Sequence, residues 1–143
     1  MKKRIIYIVL STALVYVVFY RYLPPYTPLK SAQLISGLKI PRGVQYELNE
    51  SYYGFTGSGS TSMIIALDDK QFDTFTKRNN WKKFKKFPMK ESERIPIVYD
   101  SFFVKRPYDH DNGYYKIVVT DNNFKVVIVD NSEKKILIYE TID

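Results

Sequence analysis

The C-terminal stretch YYKIVVTDNNFKVVIVDNSEKKILIYET, Tyr114 to Thr141, decides the fold. Three runs dense in β-branched and aromatic residues (114–120, 124–129 and 135–141) are separated by Asp121-Asn122-Asn123 and Asp130-Asn131-Ser132-Glu133. Val, Ile, Tyr and Phe suit a pleated, half-buried strand, whereas Asp, Asn and Ser bond their own backbone and favour turns. Connections this short join antiparallel neighbours, since a parallel return needs a crossover of about a dozen residues or more. The spacing predicts an antiparallel meander.

Upstream, Val44-Gln45-Tyr46-Glu47-Leu48-Asn49 alternates apolar and polar residues, the signature of a strand with one wet face, and residues 61–67 read as a second, more buried strand. Ser31 reads as the N-cap of a short helix in which Leu34, Ile35 and Leu38 share a face, closed by Pro41-Arg42-Gly43. Asp68 followed by Gln71 fits a capping box for a helix carrying Phe72 and Phe75 on one side and ending at Asn79-Asn80. Pro88 and Pro96 make residues 82–96 extended and irregular, 97–105 can form a further strand, and residues 109–113 are turn chemistry. This order predicts an α+β fold, two helices on an antiparallel sheet.

The N-terminus is of another kind. Lys2-Lys3-Arg4 leads into sixteen residues without a charge, 5–20. As a helix these span roughly 24 Å, and continuing to Leu23, with Arg21 lifting its guanidinium to the headgroups, approaches a hydrocarbon core of about 30 Å. The predicted organisation is a basic tip at 1–4, a transmembrane anchor at 5–23 (with Ile5, Leu10, Leu14, Val18, Tyr20 and Arg21 along it), a linker at 24–30 and one domain at 31–143. A cleaved signal needs small residues at its cleavage site, and the region from Val17 to Pro28 is bulky and aromatic. A lipoprotein signal needs a cysteine, which the chain lacks. The basic flank puts the N-terminus in the cytoplasm and the domain outside a cell membrane.

The net charge of +7 is unevenly spread. Setting aside Lys2, Lys3, Arg4 and Arg21 leaves 18 Lys/Arg against 15 Asp/Glu. Residues 77–90 hold seven cations and no acid, so the body around them is mildly acidic. Without cysteine there is neither disulfide nor thiolate chemistry, and the fold rests on packing.

Each candidate site has a bland counterpart. Gly54-Phe55-Thr56-Gly57-Ser58-Gly59 lacks the Gly-Lys-Ser/Thr ending of a phosphate loop and joins two strands, so it reads as a hairpin connection. Its aromatics and hydroxyls nominate Tyr53, Phe55 and Ser58 as ligand contacts. Asp109, Asp111 and Asn112 resemble the opening of a calcium loop, but Gly113 falls one position early and no glutamate follows in place. His110, the single histidine, reads as an exposed turn residue. No metal or cofactor and no catalytic set is expected, although Glu47, Glu50, Asp100 and Glu140 would serve a carboxylate hydrolase if the fold gathered them. Trp81-Lys82-Lys83-Phe84-Lys85-Lys86-Phe87-Pro88 interleaves aromatics with cations. Either Trp81, Phe84 and Phe87 dock into the core at i, i+3 and i+6, or they join Lys82, Lys83, Lys85 and Lys86 in a surface for anionic headgroups or polymer.

Several pieces together resemble a family of small bacterial exported proteins, many Gram-positive, that carry an N-terminal membrane segment or lipid anchor. They are Gly37-Leu38-Lys39-Ile40-Pro41, the loop from Tyr53 to Gly59, Trp81, Gly113-Tyr114-Tyr115, Asn123-Phe124, Asp130 and the close Leu137-Ile138-Tyr139-Glu140-Thr141-Ile142-Asp143. That family has Gly-Asp-Gly where this chain has Gly57-Ser58-Gly59, which removes a carboxylate from the loop. The resemblance implies a fold and a location and no reaction. The expectation is a single-pass, membrane-anchored extracytoplasmic binding module. Its partner would be an envelope protein or toxin, or anionic lipid or wall polymer, and not nucleic acid; the alternative is an Asp/Glu envelope hydrolase.

Overall fold

The apolar runs line up as strands of one antiparallel sheet. In a computed structural model, described at residues 7, 9–16, 27–53, 58–90, 93, 109–121 and 123–142, the elements are α1 (Pro28–Ser36), β1 (Gln45–Tyr53), β2 (Ser58–Ala66) and α2 (Asp69–Arg78). A 3-10 turn (Trp81–Lys83), β3 (Lys85–Lys86), β4 (Gly113–Thr120), β5 (Asn123–Asp130) and β6 (Lys135–Ile142) follow. The chain forms two compact units, Met1–Ser31 and Ala32–Asp143.

The sheet order is β1-β2-β6-β5-β4-β3, antiparallel throughout. β1 and β2 form a hairpin at one edge. β3 starts the other edge, and the expected meander β4-β5-β6 returns across the sheet until β6 pairs with β2. Opposed residues share a face, and alternate residues along a strand change face. One face thus carries Tyr115, Val126, Ile128, Leu137 and Tyr139, which pack as a core with Met89 and the half-buried Ile64, Phe87, Ile117 and Phe124. The other carries Met63, Ile65, Val127, Val129, Ile136 and Ile138, all buried. A sheet covered on both faces explains why residues 126–129 form a continuous apolar run rather than an alternating one.

α2 lies on this second face, because Phe75 meets Trp81 edge-on at 5.6 Å and Trp81 stacks on Tyr114 of β4 at 4.4 Å. Its start is the capping box read from the sequence: Gln71 N–H donates to Asp68 Oδ1 at 2.7 Å, and Asp68 N–H to Gln71 Oε1 at 3.0 Å. Asp68→Ala leaves the Gln71 amide without its acceptor and is expected to cost about 1 kcal/mol, read from urea denaturation midpoints.

The structure also departs from the sequence reading. α1 begins at Pro28, inside the expected linker, since proline suits a first helical position, and it ends by Gly37 at φ +72. Ala32 and Ser36 are its buried side chains; Leu34 is 67% exposed, and Leu38 is buried only after the helix has ended. The 82–96 stretch is not wholly irregular, because the 3-10 turn and β3 interrupt it. The possible strand at 97–105 lies outside the described residues.

In the first unit Tyr7 and residues 9–16 are helical, with Val9, Leu10 and Leu14 at least 60% exposed. The remainder of 5–23, including Ile5, Val18, Tyr20 and Arg21, lies outside the described residues. Among the described residues no helix is long and apolar enough to cross a membrane.

Candidate functional site

The basic-aromatic segment resolves into an inner and an outer set. Trp81 donates its indole N–H to the Thr76 carbonyl at 3.0 Å and is held among Phe75, Tyr114 and Phe84. Phe84 and Phe87 are half-buried, while Lys82, Lys83, Lys85 and Lys86 are exposed. The aromatics therefore anchor the segment and leave its cations in water, the first of the two arrangements expected.

The exposed lysines then divide. Lys82 and Lys83 join Lys39, Arg78 and Lys116 around a groove of about 400 Å³, with Ser36, Asn79, Asn80 and Phe84 also in its walls. None of its lining residues is acidic. None of the five cations forms an ion pair among the described residues, whereas Lys77, Lys85, Lys125, Lys134 and Lys135 do. Lys116 lies over the Phe84 ring, its Nζ 5.9 Å from the centroid. Asn79 brings the distant Lys39 in. It caps α2 by donating to the Phe75 carbonyl at 2.8 Å, accepts from Lys39 N–H at 2.7 Å and donates to the Lys39 carbonyl at 3.3 Å. Arg78 has a second, structural use, since a cation in the last turn offsets the negative end of the helix dipole.

Lys85 points elsewhere. Its ammonium and the Tyr115 hydroxyl both donate to the Glu93 carboxylate. The Lys85 hydrogen bond, followed by that from Tyr115, holds the Glu93 carboxyl below its ordinary range. Burial, followed by the bond to Glu93, pushes the Tyr115 phenol up to about 12. An ionised carboxylate beside a phenol that keeps its proton makes a latch between segments, poorly matched to acid-base catalysis near neutral pH.

A second polar cluster is internal. His110 and Asp130 are each only 2% exposed, and His110 Nδ1 lies 2.5 Å from Asp130 Oδ2. This corrects the expectation that His110 is an exposed turn residue. Asp130 Oδ1 accepts the amides of Ser132 at 2.7 Å and Glu133 at 2.9 Å. Burial raises the Asp130 carboxyl, but the Glu133 amide, the His110 imidazole and the Ser132 amide outweigh it, and the group sits below the usual carboxylate range. An ionised Asp130 can only accept, so Nδ1 is the donor of this bond. His110 Nε2 has no partner among the described residues.

The other nominated residues do not converge on the groove. Tyr53 and Ser58 are opposed at the end of the β1–β2 hairpin, as expected for a hairpin connection, and Phe55 lies outside the described residues. That hairpin and β3 belong to opposite edges, with β2 and β3 four strand spacings, roughly 19 Å, apart. Glu140 is paired with Lys125 at 2.5 Å, Glu47 lies on the opposite sheet face from Glu50 and Glu140, and Asp100 lies outside the described residues. The chain matches no family model, no curated protein and no solved structure.

Proposed function

We propose that residues 31–143 form a non-catalytic, extracytoplasmic binding module, tethered by residues 5–23, that takes up an anionic group of the cell envelope in the groove between α1, α2 and β4. One observation carries this reading: five cations line one concavity without a carboxylate among its lining residues. Keeping like charges together with no counter-charge costs stability, and that cost makes sense where a ligand supplies the missing anion. The tether is supported by the uncharged run at 5–20 and by the apolar side chains that its described helical part leaves exposed. The resemblance to small exported proteins points to the same location. A carboxylate hydrolase finds less support, since Glu140 is engaged by Lys125 and Glu47 occupies the other face.

The test uses the full chain in zwitterionic micelles. Changing Lys39, Arg78, Lys82 and Lys83 together to Gln is expected to weaken heparin binding by about 1–4 kcal/mol, tenfold or more at the centre of that range. The wild-type affinity should fall as salt is raised, and the variant's should barely move. Unchanged binding in the variant would remove the groove from consideration.

A further inference from the structure

The groove has an apolar neighbour on α1. Gly37, in the groove wall with Ser36 and Lys39, donates its N–H to the Gln33 carbonyl at 2.9 Å, so the helical turn runs through to the groove. Leu34 stands three residues before Gly37, which places the two on one side of the helix, and it is 67% exposed. A single exposed leucine needs no explanation by itself. Beside Lys39, Arg78, Lys82, Lys83 and Lys116 it completes a pattern suited to a membrane surface, where an apolar side chain enters below the headgroups and cations stay among them.

The length of the tether decides which anionic surface the groove meets. The expected anchor ends at Leu23, and α1 begins at Pro28. Extended steps of about 3.6 Å from Leu23 to Pro28, then helical rises of about 1.5 Å to Ser36, put the groove wall within roughly 30 Å of the anchor's end. Headgroups of the membrane that holds the chain are therefore always in reach, whereas a free polymer or a soluble protein must be captured from solution. Resting on the anionic groove and the tether proposed above, we infer that the occupant is the anionic phospholipid of the chain's own membrane. The five cations meet the phosphates, and Leu34 enters the boundary between headgroups and acyl chains. A soluble anionic polymer would engage the cations and leave Leu34 in water, so this residue separates the two occupants.

The experiment places the full chain in nanodiscs of phosphatidylcholine, or of phosphatidylcholine mixed with phosphatidylglycerol. Each carries a trace of a gadolinium-chelating lipid, and amide relaxation is recorded. In the anionic discs the amides of Leu34, Lys39, Lys83 and Lys116 should broaden, and that of Met89, packed on the opposite sheet face, should not. The broadening should be lost in zwitterionic discs and at high salt, which tests the docking without any substitution. Each groove cation exchanged for Gln should lower the docked-to-undocked ratio about fivefold. Leu34→Ser should lower it about threefold and leave heparin affinity unchanged. Broadening of equal size in both discs, broadening spread evenly over the domain, or a Leu34→Ser chain that docks as well as wild type would overturn the inference. With heparin binding intact, any of these would leave the anionic groove standing with a free polymer or an acidic protein as its occupant. Loss of both heparin binding and docking to the anionic discs in the wild type would overturn both readings.

Discussion

Replacing Asp130 with alanine is expected to lower the unfolding free energy by about 3–5 kcal/mol, because it removes one member of a buried, hydrogen-bonded pair and abandons the other. His110 would lose the acceptor on Nδ1, and the Ser132 and Glu133 amides would lose theirs. Asp130→Asn keeps an acceptor oxygen for the two amides and sets an NH2 against His110 Nδ1, which the imidazole can meet by carrying its proton on Nε2, so it should cost less. The two variants also separate charge from shape. A carboxyl whose folded pKa lies below its unfolded value of about 3.9 stabilises the fold fully above that value, and the contribution is lost as pH falls through the folded value. Asp130 is such a group, since the amide and imidazole bonds outweigh its burial. Urea denaturation from pH 7 down to 3 should therefore show the gap between wild type and Asp130→Asn closing below about pH 4. A gap constant with pH would mean that the charge contributes nothing. A loss below 1 kcal/mol in Asp130→Ala would mean that the turn holds without it.

The importance of this pair was hidden from the sequence for a definable reason. Asp109-His110-Asp111-Asn112-Gly113 and Asp130-Asn131-Ser132-Glu133 both have turn composition, and turns are usually wet. What buries them is register. Gly113 lies opposite Asp130, and the two turns bond through Asn131 N–H to the Asn112 carbonyl at 3.0 Å. No spacing within either segment announces that the other sits beside it. The meander itself was plain, because each strand and its connection are local and β-branched residues dominate each run. The capping box at Asp68 was plain for the same reason. The order in which the hairpin joins the meander was not, since the pairing of β2 with β6 links residues 69 to 83 apart in the chain.

The basic site was half legible. Lys82 and Lys83 stand in a visible run, and Arg78 belongs to the same local excess of charge. Lys39 and Lys116 are isolated in the sequence and reach the groove only through Asn79 and through the position of β4 under Phe84. The run also promised too much. Lys85, its neighbour by two residues, faces the other side of the sheet edge and is answered by Glu93. Charge density along a chain is therefore a poor guide to charge density in space wherever a strand alternates its side chains between faces. The aromatic spacing was the better signal, because Trp81, Phe84 and Phe87 are each drawn inward, Trp81 against Tyr114 on one face and Phe87 against Tyr115 on the other, and so hold the segment from which the lysines project.

Phe75→Ala tests that last dependence and should have the other large effect. Phe75 is fully buried, with Phe72 at 6.2 Å and Trp81 at 5.6 Å between ring centroids. Truncation removes the ring and leaves a cavity, at an expected cost of about 3–5 kcal/mol in urea denaturation. The consequence for the groove is indirect and separable. Trp81 opens the 3-10 turn that carries Lys82 and Lys83, and it is positioned by Phe75 on one side and Tyr114 on another. With Phe75 gone, the indole keeps its bond to Thr76 but loses a wall, so both lysines sample a wider range of positions. Heparin affinity of the folded fraction, measured well below the unfolding midpoint, should fall about two- to fivefold although no charge has changed. Phe75→Leu, which refills most of the cavity, should recover most of both losses. Full stability loss with undiminished heparin affinity would show that the lysines need no aromatic scaffold, and that the order Trp81, Phe84, Phe87 serves the core alone.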